Sequence, residues 1–257
     1  MPFAESNGAE IFYESYGDGE AVVMIPGLAS DHRHWLRAMQ MLEGYHTISV
    51  DNRGCGQTRY KDAVSIDQMA DDVLAVMDAE GIEKAHVIGW SMGSHIGLSL
   101  AARHPERVRT LCLVSSYIRR PARASFILGS LGMLYAQGKA DQLTIAAVFN
   151  TLIHSEGWFA KAISSGKSAK NAEMPDPKSF MDQLLATQGY DPAPHAKMLT
   201  IPVMSVHGTE DIMTEPSFGD ELADVIKDCV RIRAEGEGHH VSLSKYLEEY
   251  VEFIRSH

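Results

Sequence analysis

The chain has 257 residues, 45% of them hydrophobic and 22% charged, with a formal net charge of −11. That length suffices to bury one α/β core with an inserted lobe, and the acidic balance speaks against nucleic acid or an anionic membrane surface, which attract basic faces. Cys55, Cys112 and Cys229 are widely spaced without a CxxC pair, and neither a basic-then-apolar leader nor a run of about eighteen apolar residues occurs, so a cytoplasmic protein without a disulfide framework is expected.

Residues 10–16, "EIFYESY", alternate in polarity, as a half-exposed strand does. "GDGE" is a turn, and "AVVMIP" is a continuous apolar run that suits a strand covered on both faces. "HRHWLRAMQML" has helical spacing, "HTISVD" is a second buried strand, and "RGCGQT" is a glycine-broken loop. "SIDQMADDVLAVMDAEGI" repeats its apolar residues every three or four positions, which predicts a helix. "KAHVIGW" reads as a third buried strand, "SMGSHIGLSLAARHP" as a helix stopped by Pro105, and "VRTLCLVSS" as a fourth strand. This alternation predicts a doubly wound, mostly parallel sheet with helices on both faces. The rhythm breaks at residues 118–195, which read as several short helices: a helical cap set into a core made of 1–117 and 196–257. "TIPVMSVH" restores the strand pattern, "PSFGDELADVIKD" is helical, "CVRIRAE" is a strand, and "SKYLEEYVEFIRSH" is a closing amphipathic helix.

The junction "VIGWSMGSHIG" places Ser91 between Gly89 and Gly93. A strand entering a helix with almost no loop forces a tight, strained turn, in which side chains at 89 and 93 would collide. Such a turn lifts the Ser91 hydroxyl clear of the sheet and aims the Met92 N–H at whatever the serine attacks, over a helix N-terminus that favours negative charge. The plainer alternative is that Ser91 only caps the helix. A nucleophilic serine needs a base and a group to orient it. "GEGHHVSL" offers His239 and His240, and "VHGTEDIM" offers Asp211, with Glu210 as the weaker rival. Gly238 lets the loop turn sharply and present His239, so His239 is taken as the base. A second oxyanion donor is expected at the Leu28 N–H, because Pro26 has no N–H and Gly27 permits an unusual turn.

Taken in order, "MIPGLAS", "DNRGCGQT", "GWSMGSHIG", "HGTED" and "GEGHHVSL" resemble the α/β-hydrolase superfamily over essentially the whole chain. The resemblance is greatest to small bacterial serine carboxylesterases and to the enol-lactone hydrolase and aminoacrylate hydrolase group. It implies a Ser–His–Asp hydrolase with Ser91, Asp211 and His239 as triad, Leu28 and Met92 as oxyanion donors, and a cap over the site. Two departures stand out: Pro26-Gly27 where many relatives have His-Gly, and Ser94 where many have glycine. Serine at the elbow speaks against a haloalkane dehalogenase or an epoxide hydrolase, which carry aspartate there.

The remaining candidates have plainer readings. Arg53 is expected to bridge its loop beside Asp51, Cys55 to pack, His95 to be buried, and His32 and His34 to lie at the surface. Trp90, Phe149, Trp158 and His240 are the expected substrate contacts. Arg119, Arg120 and Arg123 read as solvated, with a carboxylate clamp as the alternative. No metal or cofactor motif is present. The expected reaction is hydrolysis of a small ester or lactone through an acyl-enzyme. C–C bond hydrolysis or perhydrolysis by the same triad is the alternative, as is a ligand receptor without catalysis. The expected partner is that small molecule, and a homodimer stays open.

Overall fold

The computed structural model describes residues 2–61, 64–166 and 174–257. Its strands are β1 (Phe3–Ser6), β2 (Ala9–Tyr16), β3 (Glu20–Ile25), β4 (Tyr45–Val50), β5 (Ala85–Trp90), β6 (Val108–Val114), β7 (Val203–Gly208) and β8 (Val230–Ala234). They form one sheet in the order β1-β2-β4-β3-β5-β6-β7-β8. From β4 to β8 all neighbours run parallel, whereas β1–β2 and β2–β4 are antiparallel. The apolar runs fall where covered strands are needed: every residue of β5 and β7 is buried. β1 is the element missing from the sequence reading; four residues, paired as Phe3↔Phe12 to Ser6↔Ala9, are too few to show a period.

The helices of the core are α1 (Leu36–Met41), α2 (Ile66–Ala79), α3 (Met92–Arg103), α8 (Ala193–Met198), α9 (Pro216–Val225) and α10 (Leu247–Arg255). The chain steps from β3 to β4 through α1, then back across β3 to β5 through α2. Right-handed crossovers in opposite directions place these two helices on opposite faces. The reversal leaves a crevice at the carboxyl ends of β3 and β5, where such sheets bind ligands. The expected single helix over "HRHWLRAMQML" is instead a 3₁₀ turn, His32–His34, followed by α1. The Asp31 side chain caps the turn by accepting the Arg33 N–H, which starts it early.

Residues after β6 form α4 (Ala122–Ala136), α5 (Gln142–Ile153), α6 (Glu156–Ser164) and α7 (Pro177–Gly189). Asp141 and Asp176 cap α5 and α7, and Pro177 opens α7 at the position where a missing N–H costs nothing. α4 packs on α7 with Gly132 facing Phe180 and Leu184. α8 packs instead on α3 and α9, so the end of the 118–195 segment lies with the helices over the sheet. Among the described residues, no helix is long and apolar enough to cross a membrane.

Candidate active site

Ser91 follows the last residue of β5 and adopts φ 53°, ψ −117°, a left-handed strain that a non-glycine residue accepts only under tight constraint. The constraint is visible in its neighbours. A Cβ on Gly89 would overlap the Gly93 carbonyl, and one on Gly93 would overlap the Ile25 and Pro26 carbonyls. The Ser91 N–H is held by Val114 O at 2.8 Å. Its hydroxyl makes no cap bond to α3; it lies 2.8 Å from His239 Nε2.

His239 Nδ1 lies 2.9 Å from Asp211 Oδ2. Asp211 Oδ1 accepts the N–H groups of Met213 and Thr214, each at 2.8 Å, and Oδ2 accepts the Thr214 hydroxyl at 2.7 Å. Burial alone would raise the Asp211 carboxyl; the charge of His239 and hydrogen bonds with His207 and His239 outweigh it and hold the group well below the carboxylate range. Glu210 is exposed and has no place in this line. The His239 carbonyl is itself fixed, accepting from Trp90 Nε1 at 2.8 Å and from Ser115 Oγ at 2.7 Å. Ser115 sits just past β6 with φ 52°, a second strained position that no sequence signal marks.

The Leu28 and Met92 N–H groups make no hydrogen bond among the described residues, and both residues line the cavity beside Ser91. The turn that presents Leu28 is held from α7. Ala29, at φ 60°, donates its N–H to Gln183 Oε1 at 2.8 Å, while Gln183 Nε2 donates to Arg53 O at 2.8 Å. Gln183 lies on α7, fully buried between Phe180 and Leu184. A polar residue inside that apolar stripe was the available signal for it, and the sequence reading missed it.

The cavity measures about 50 Å³. Leu28, Met92, Leu128, Leu184 and Met213 wall it, with Arg120, Ser125, Thr187 and Gln188 also at its lining. None of the four expected substrate contacts lines it. Trp90 is the last residue of β5, and its indole is buried and stacks on His34 at 4.3 Å. His240 faces His34 and His154, Trp158 stacks on His154 at 3.7 Å, and Phe149 is buried among the cap helices. These rings form a separate wall joining α5 and α6 to the His239 loop, closed by a 2.7 Å bond from His240 N–H to Ile153 O.

Other expectations divide. Arg53 is fully buried and grips both Asp72 oxygens at 2.7 and 2.8 Å, the bridging role foreseen for it. Cys55 is buried, with its thiol pushed up to about 12 by burial. Burial likewise lowers His95 to about 4, its Nε2 resting 3.2 Å from Tyr117 O. His32 is a correction: it is buried, with Nδ1 2.8 Å from Asp51 Oδ1, and His34 is half-buried on Trp90. Asp31, His32 and Asp51 bring ligand-type atoms within 4.8 Å of one another. Those atoms are already committed: Asp51 accepts His32 N and Nδ1 and Gln57 N, and Asp31 pairs with Arg33.

An elbow serine, a loop histidine and a buried aspartate at the carboxyl edge of a parallel sheet define a hydrolase fold, and comparison with known proteins agrees. The family model described as alpha/beta hydrolase fold matches residues 20–246, and the chain belongs to that family. The RutD protein of Azorhizobium caulinodans, named as a carbamate hydrolase, is 26% identical over 236 residues, covering 89% of this chain and 88% of its own. The enol-lactonase from Burkholderia xenovorans LB400 superposes with a TM-score of 0.88 at 22% identity, over 99% of this chain and all of its own. A thermophilic esterase from Thermogutta terrifontis gives 0.85 at 19% identity, over 96% and 94%.

Proposed function

We propose that the protein is a serine hydrolase that cleaves small carboxylic esters or lactones through an acyl-enzyme on Ser91. The observation that carries this reading is the unbroken line Asp211–His239–Ser91, at 2.9 and 2.8 Å, beside two amide N–H groups that have no partner among the described residues. His239 Nε2 takes the hydroxyl proton as Ser91 Oγ adds to the carbonyl carbon. Asp211 keeps the proton on Nδ1 and stabilises the imidazolium. The Leu28 and Met92 N–H groups receive the oxyanion. When the tetrahedral species collapses, the C–O bond to the alcohol breaks and His239 protonates the departing oxygen. Water then adds to the acyl-enzyme, giving its proton to His239. The acid leaves, and Ser91 recovers its proton. The RutD relatives favour carbamates as a second substrate class, since the same steps open a carbamate carbonyl.

The test is hydrolysis of p-nitrophenyl acetate and carbamate, with phosphonylation read by mass spectrometry. Wild-type protein gains one phosphonyl group at Ser91. Ser91→Ala and His239→Ala each lower kcat by roughly 10⁴-fold with the fold retained, because triad members act as a unit. Strong loss from His240→Ala with a mild effect of His239→Ala would overturn the assignment of the base.

A further inference from the structure

Three arginines enter the cap together, and the structure separates them. Arg119 is paired in two hydrogen bonds with Glu221, at 2.7 and 2.8 Å, and Arg123 with Glu215 at 3.0 Å. Arg120, between them, has no carboxylate partner among the described residues, and it lines the Ser91 cavity. Among the described residues, it is apart from His239 the one side chain at that lining able to carry positive charge, and no described Asp or Glu lines it. Arg120 is an exposed residue, and its charge and a hydrogen bond oppose the rise that burial gives the Tyr117 hydroxyl.

Two physical facts give this placement a meaning. The chain carries a net charge of −11, so an anionic substrate approaches against the overall field and needs a local cation at the mouth. Glu215 and Glu221 are committed to the neighbouring arginines, which leaves Arg120, hydrogen-bonded to the Tyr117 hydroxyl, with no carboxylate partner among the described residues. The cavity supplies the rest of the fit. Its volume of about 50 Å³, walled by Leu28, Leu128 and Leu184, holds a short aliphatic chain and little more.

Resting on the serine-hydrolase reading, we infer that Arg120 is a specificity determinant for esters whose short acyl part ends in a carboxylate. The acyl carbonyl sits at Ser91, its methylenes lie against the leucines, and the carboxylate meets the guanidinium at the rim. The negative acyl group is thereby recognised without a second buried charge.

Matched substrates test this. The p-nitrophenyl monoesters of succinate and glutarate are compared with p-nitrophenyl butyrate and valerate on wild type, Arg120→Gln and Arg120→Lys. The expected result is a wild-type preference for the anionic esters. In Arg120→Gln the anionic-to-neutral ratio of kcat/KM falls by about 10- to 100-fold, as for loss of a hydrogen bond to a charged group. Arg120→Lys restores part of the ratio. A ratio that moves less than threefold overturns the inference. A binding arm separates this from the fate of the Ser91 reading: glutarate is titrated into Ser91→Ala protein with and without Arg120→Gln. If no ester is turned over but glutarate binds at least tenfold tighter with Arg120 present, the role of Arg120 stands and the nucleophile assignment falls. If glutarate binds no better with Arg120 present, Arg120 is not a carboxylate site.

Discussion

The elbow and the helices α4 and α7 sit on either side of the same small cavity, and they are built by opposite means. At the elbow, backbone geometry does the positioning. Ser91 is strained, Gly89 and Gly93 are pressed against carbonyls, and the next strand holds the Ser91 N–H. On the other side, side chains do it. Leu128 and Leu184 close the cavity, Arg120 stands at its mouth, and Gln183 reaches down to hold the Ala29 N–H. A site fixed by backbone permits few residue types, and it leaves a mark in the sequence. A site fixed by side chains on regular helices permits many, and it leaves almost none.

The sharpest challenge to this division is Gln183, an α7 residue that acts on the backbone. Gln183→Ala removes the partner of the half-buried Ala29 N–H. Stability should fall by about 1–3 kcal/mol, read from urea unfolding. With the turn that presents the Leu28 N–H released, kcat for p-nitrophenyl acetate should fall about 10- to 100-fold while KM moves little. An unchanged kcat in the folded variant would show that the turn needs no support from α7.

A milder effect separates residues that line the cavity from aromatic residues that do not. Leu184→Ala enlarges the acyl space and should shift the relative kcat/KM of butyrate and hexanoate esters by roughly 10-fold. Trp158→Ala, on the separate ring wall, should shift it by less than about threefold. The reverse order would return Trp158 to the substrate pocket.

The smallest effect concerns that ring wall. Burial holds His34 and His240 below their ordinary range and His154 at about 3, so the folded protein keeps these rings neutral. The unfolded chain takes up protons first, near pH 6.5. Their contribution is therefore complete above that value and is lost as pH falls below it. Asp211, depressed rather than raised, adds a loss of the same sign below its unfolded value near 4. The melting temperature should drop by several degrees between pH 7.5 and 5, and His154→Phe should flatten that slope. An identical slope in the variant would place the acid sensitivity elsewhere.

The same division explains what the sequence disclosed. Strand and helix order was legible because covered strands must be continuously apolar, as "AVVMIP" and "KAHVIGW" are. Ser91, Asp211 and His239 could be picked out because glycines mark sharp backbone turns, and the structure brings all three together. Trp90, Phe149, Trp158 and His240 stand off the lining of the Ser91 cavity, because aromatic character does not say against what a residue packs. Arg119, Arg120 and Arg123 were indistinguishable as text; only the positions of Glu215 and Glu221 tell them apart.

The carbonyl of His239 hangs from Trp90 at the end of β5 and from Ser115 just past β6. The histidine is thus registered to the sheet through its own carbonyl. What descendants of this chain must inherit is a pair of donors on neighbouring strand ends. Change in the surrounding loop leaves the base aimed only where those two donors are kept.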